Sequence, residues 1–172
     1  MKASKTLFFA LAMAFAMSIN AKIFEDNHFT ANLNLGSTDY GWTVASFGLG
    51  VGFQTGIYSN DWISLAWDVA QVEWVAPFKS PEDWDELHVR SGLRAFSPSF
   101  AGGKVRAYTN LDMGYSCIFV DSLLDGMKGH SSFGLAYGVG LQLQEKLSVG
   151  YSLGYVTWDK SKNHFLSIGY TF

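Results

Sequence analysis

The sequence predicts an all-β fold, specifically an eight-stranded antiparallel up-and-down barrel, and three observations carry that expectation. Large apolar residues alternate strictly with Gly or polar residues in run after run, the mark of a sheet with two unlike faces. Beyond Ala21 no segment keeps the helical period of about 3.6 residues over a useful length. The alternating runs are even in number, and their connectors alternate between tight turns and longer stretches.

The runs, in order, are His28–Leu35, Trp42–Tyr58, Trp62–Glu73, Leu87–Phe96, Lys104–Cys117, Ser132–Leu143, Leu147–Trp158 and His164–Phe172. The second contains Phe47-Gly48-Leu49-Gly50-Val51-Gly52-Phe53-Gln54, where every odd position is large and apolar. Phe133 to Leu143 and Leu147 to Tyr155 repeat that pattern in the sixth and seventh. Ser59-Asn60-Asp61 and Gln144-Glu145-Lys146 read as tight turns, and Phe96–Gly103 as a moderately short one. Val75–Glu86 and Ile118–Ser131 read as long loops, with shorter Gly36–Gly41 and Asp159–Asn163 on the same side.

The segment before the first strand reads as an address label. Lys2 and Lys5 supply a positive start, and Leu7–Met17 is an unbroken apolar run, too short to span a bilayer as a helix. Ser18-Ile19-Asn20-Ala21 then offers a cleavage position. The expected organisation is a secretory signal peptide over 1–21 and a barrel domain over 22–172.

Composition narrows the function. The 172 residues hold 12 Lys+Arg against 15 Asp+Glu, a net charge of −3 without the basic footprint of a nucleic-acid binder. Charged residues and aromatics each make up 16%, the wrong balance for a disordered chain. One Cys excludes an internal disulfide framework.

The residues opposite the large apolar set decide the orientation. They include Asp68, His88, Arg90, Arg94, Arg106, Tyr108, Asn110 and Asp112, together with many strand glycines. Glycines on a solvated sheet face weaken it without gain, whereas in a narrow barrel they leave room for facing side chains. The expectation is therefore a transmembrane barrel with its apolar set toward lipid. Asp68, Arg90, Arg94, Arg106 and Asp112 form a mutually neutralising lumen cluster that fills the interior. Tyr58, Trp62, Phe29 and Phe172 fall near the turn side, and Tyr115, Phe133 and Tyr155 near the loop side, as two interfacial girdles.

The chain closes on Leu166-Ser167-Ile168-Gly169-Tyr170-Thr171-Phe172. This stretch resembles the terminal β-signal of Gram-negative outer-membrane proteins. The whole resembles the small eight-stranded group typified by the OmpA transmembrane domain and the OmpX/Ail-like proteins. The resemblance implies an outer-membrane location reached through the periplasm, and insertion by the barrel-assembly machinery. That machinery would read Phe172 as the terminal aromatic, with Tyr170 and Ile168 at the apolar positions before it. It also implies membrane lipid and lipopolysaccharide as neighbours and a monomeric state. The role is then structural or at the surface, in membrane integrity, adhesion or resistance, rather than that of a general porin.

Chemistry is sparse in the sequence. No cofactor or metal is expected, because the Gly-x-Gly repeats have strand period and the four His are scattered. An enzyme alternative rests on His130 and Ser132, which share a strand face where a base could activate a nucleophile. The spacing resembles the His-x-Ser-Asn motif of outer-membrane lipid A deacylases. Phe133 stands where that family has Asn, and Gln144 stands near the expected carboxylate spacing. A soluble lipocalin-like barrel is a third reading, although Gly41-Trp42 lacks that family's Gly-x-Trp spacing. In the second long loop, Trp84 among four carboxylates is the candidate contact for an extracellular partner.

Overall fold

The computed structural model describes residues 27–39, 43–78, 83–122, 126–157 and 160–172, without the side chains of 83, 120–122 and 126–130. The signal peptide expected over 1–21 lies outside them. The strands are β1 (Asn27–Asp39), β2 (Thr43–Ser59), β3 (Ser64–Pro77), β4 (Asp83–Phe96), β5 (Val105–Ser122), β6 (Gly126–Leu143), β7 (Leu147–Val156) and β8 (Lys162–Thr171). Each pairs antiparallel with the next, and β1 pairs with β8 from Thr30–Thr171 to Asp39–Lys162, which closes the barrel. Closure removes the free edges that an open sheet of such strands would expose.

The turn side is built from local chemistry. The Asn60 carboxamide oxygen accepts from the Trp62 and Ile63 amides, both at 2.9 Å, and so ties the turn between β2 and β3. Gly102 and Gly103, at φ of 71° and 82°, take the left-handed conformations that let β4 return as β5.

Two long loops expected from the sequence are instead strand. Val75 pairs with Glu86, and Ile118 pairs with His130, so β3–β4 and β5–β6 run on and leave only residues 78–82 and 123–125 between them. The acidic residues after Pro81 look like a solvated loop. However, period two continues through Trp84, Glu86 and His88, and the ladder to Val120 and Ile118 takes up their backbone groups. Connectors on the two sides are thus similar in length.

The faces sort as the alternation predicts. Leu93, Leu111, Tyr137, Val149, Leu166 and Ile168 are exposed on the outside at mid-strand, while Asp68, His88, Arg94 and Asp112 are buried inside. Tyr58, Trp62 and Phe172 are also exposed near the turn-side ends, whereas Tyr115 and Phe133, expected at the loop-side ends, are exposed at mid-strand because β5 and β6 run on beyond them. One break in the alternation matters. In β3 the register shifts between Asp68 and Gln71, so the strand carries an extra residue against β4. This bulge reverses the parity, so that Asp68 and then Gln71, Glu73 and Val75 all belong to the inner face.

Candidate functional site in the lumen

The interior is arranged in three parts along the axis. The middle holds the charged groups. Arg94 Nη2 lies 3.2 Å from Asp68 Oδ2, and the other Asp68 oxygen accepts from Gln54 Nε2 at 2.7 Å. The Arg94 guanidinium also sits 5.2 Å from the Tyr108 ring centroid. Next to it, Arg90 Nη1 donates to Glu73 Oε2 at 3.1 Å, and Asn34 donates to the same carboxylate. Asp112 accepts from Asn110. A polar cavity of about 70 Å³ lies among these groups and is large enough for one or two waters. Asn34 Oδ1, Gln71 Nε2, Arg90 Nε and Asp112 Oδ1, all from its lining, are buried without a hydrogen-bond partner among the described residues.

The loop-side half holds a chain of three side chains that each have no solvent exposure. Glu86 Oε2 is 2.8 Å from His88 Nε2, and His88 Nδ1 is 2.6 Å from Ser116 Oγ. Asn163 donates to Glu86 Oε2 at 3.0 Å. A carboxylate only accepts, so it fixes the proton on Nε2 and leaves Nδ1 to receive the Ser116 hydroxyl proton. This is the connectivity of a nucleophile, a base and an orienting acid. Its surroundings argue against turnover in this conformation. Val44, Val75, Trp84 and Phe165 form an apolar cluster in the same half of the lumen, and a Cβ on Gly134 would come 2.8 Å from Ser116 Oγ. No substrate atom fits beside that hydroxyl.

The turn-side end is a polar vestibule of about 440 Å³ lined by His28, Gln54, Phe96, Arg106, Gln142 and Thr171 among others. Arg106 Nε donates to Gln142 Oε1 at 2.7 Å, and the guanidinium carbon lies 4.0 Å from the Phe96 ring centroid.

Of the five residues expected to form one charge cluster, Asp68 and Arg94 are paired directly. Arg90 and Asp112 line the same small cavity, but the anion bonded to Arg90 is Glu73. Arg106 stands apart in the vestibule. Glu73 was hidden from sequence reasoning by the β3 bulge. Glu86 and Ser116 were legible in principle, because each continues the period of an inward residue, His88 in β4 and Asp112 in β5.

Trp84, expected as an exposed loop contact, is 6% exposed and belongs to the apolar lumen cluster. The reason is the early start of β4, which puts it on the inner face. Of the deacylase-like pair, only Ser132 falls among the described side chains. Ser132 Oγ is 2.8 Å from Thr157 Oγ1, and the side chain of His130 lies outside the described residues. Gln144 follows the far end of β6, about 40 Å along the strand at ~3.3 Å per residue, so it cannot orient a base beside Ser132. At the terminus, Ile168, Tyr170 and Phe172 face outward, with the Tyr170 and Phe172 rings 4.9 Å apart. The Phe172 amide donates to the Phe29 carbonyl at 2.8 Å.

No protein-family model matches the sequence, and a search among curated proteins finds no match either. Solved structures do match. Neisserial surface protein A (NspA) shares 17% identity at a TM-score of 0.65, covering 84% of this chain and 95% of its own. The outer membrane enzyme PagL shares 14% at 0.55, covering 84% and 98%. Ail, the attachment invasion locus protein of Yersinia pestis, shares 17% at 0.53, covering 87% and 100%. Likeness at these identities establishes a shared fold, the small eight-stranded barrel.

Proposed function

We propose that this chain is an outer-membrane barrel with a structural or surface-interaction role, not a general porin and not an enzyme. The observation that carries the reading is the inverted surface. Leu, Ile and Tyr stand exposed at mid-strand while Asp68, Glu86, His88 and Asp112 are buried. In water that arrangement would forfeit hydrophobic burial along every strand; in a bilayer the exposed set meets hydrocarbon. The likeness to a Neisserial surface protein and to an attachment invasion locus protein supports a role at the cell surface. Side chains crowd the charged layer down to a cavity of about 70 Å³, and an apolar cluster lies in the loop-side half, which supports a lumen closed to bulk solutes.

The test is fractionation with gel mobility, followed by conductance. The unheated protein from the outer-membrane fraction is expected to migrate faster than the heated protein, and to give no porin-sized steps in planar bilayers. A mature chain that stays monomeric in buffer without detergent would refute the reading.

A second reading has the Ser116–His88–Glu86 chain behind it, and PagL is an enzyme of the same fold. A hydrolase using that chain would be labelled by a fluorophosphonate probe, and Ser116→Ala would abolish the label. With Ser116 wholly buried, we expect no label above that of the variant.

A further inference from the structure

We infer that the turn-side vestibule is a binding site for a small organic carboxylate, with Arg106 as its anchor. The inference goes beyond the structural role proposed above and rests on how the three lumen arginines are treated. Arg94 and Arg90 each face a carboxylate enclosed with them, Asp68 and Glu73, at 3.2 and 3.1 Å. Arg106 has no such partner among the described residues. Its nearest carboxylate, Glu145, is 4.0 Å away and its side chain is 75% exposed in the turn after β6. An ion pair that long and that wet neutralises little of the charge.

Arg106 is nevertheless held rigidly. Its Nε is committed to Gln142, and its planar face lies over Phe96. Gln142 is fixed in turn by the Glu145 carbonyl, which accepts from its Nε2 at 3.2 Å. A stacked guanidinium with one edge engaged keeps further N–H donors in a fixed plane, and a carboxylate accepts from such a fork through both oxygens. The cavity before it, about 440 Å³, falls within the range of small-ligand sites. His28 adds a second nitrogen-bearing side chain, and the nearly buried Ala66 and Phe96 close the inner end of the cavity. The planar cation favours a carboxylate, and the volume favours a molecule of modest size. Either a free short-chain acid or the C-terminus of a short peptide supplies that chemistry.

The experiment uses the full-length barrel purified in detergent, titrated with butyrate and with N-acetyl-dialanine. The amidated dialanine serves as the uncharged control, and amide and side-chain NMR shifts give the readout. Saturable shifts at His28 and Gln142 are expected with at least one free acid, about tenfold weaker or absent with the amide. Arg106→Gln should weaken binding by about tenfold or more. Arg106→Lys, which keeps the charge without the fork, should fall between. Lys104→Gln, on the exposed turn nearby, should bind as wild type. Binding of butyrate alone identifies free acids as the source; binding of the dipeptide identifies peptide ends. No saturable shift with either acid, or equal binding by Arg106→Gln and wild type, would overturn the assignment. Should Arg106→Gln fail to fold, the contrast between free acid and amide on wild type still decides it.

Discussion

Replacing Arg94 by alanine is expected to destabilise the folded barrel by about 3–5 kcal/mol, read as a lower urea midpoint for loss of the heat-modifiable form. The effect comes from what remains rather than from what is removed. Asp68 is 1% exposed, and without Arg94 its carboxylate keeps only the Gln54 amide as a hydrogen-bond partner among the described residues. Arg94 contributes two nitrogens to one carboxylate oxygen, Nε and Nη2, each at 3.2 Å. Its loss also leaves the Tyr108 face without its cation. A carboxylate stranded in that layer has neither bulk water nor a counter-ion. The double variant Arg94→Ala, Asp68→Ala should therefore recover part of the loss, because the orphaned charge is gone. A single-variant cost no larger than that of Lys104→Ala on the exposed turn would show that the pair contributes little.

The second large effect lies at the seam. Gly36 belongs to β1 where it meets β8, and a Cβ there would run into the His164 carbonyl oxygen and stand 2.9 Å from the Phe165 Cα. These are backbone atoms of the closing strand, so no rotamer change makes room. Gly36→Ala is expected to cost more than ~3 kcal/mol, above the usual range for overpacking. Most of the protein should then fail to reach the compact, fast-migrating form. Gly50 is the internal control. The nearest atom to its Cβ position is the Val72 carbonyl oxygen at 3.6 Å, an ordinary contact, so Gly50→Ala should fold normally. Equal yields of folded barrel from the two variants would contradict the steric account.

Much of this was legible in the residues. The alternation in β2, β6 and β7 marks the two faces plainly because Gly occupies the inner set with little interruption. His88, Arg90 and Arg94 were placed correctly inside because β4 runs without a bulge between them. Glu73 was not, since one extra residue in β3 changes the side on which everything after it falls. The strand ends were misjudged for a different reason. Asp83, Asp85 and Glu86 carry loop-like charge, and sequence alone does not show that β5 supplies the ladder that keeps them extended. That error displaced Trp84 and concealed Glu86, and with it the buried chain to Ser116. The separation of Arg106 from the other charges is a matter of height along the axis, which parity does not encode.

The uneven strands have a consequence for how anything meets this molecule from the loop side. β7 pairs with β6 only from Gly134 to Leu143, so the upper part of the β5–β6 hairpin continues past the top of β7. The rim is thus a parapet on one flank and a low sill on the other. A bulky visitor travelling in the plane of the sheet ends would be turned away at the parapet and admitted over the sill. Among the described residues, the step in height at this end of the barrel thus falls between β6 and β7.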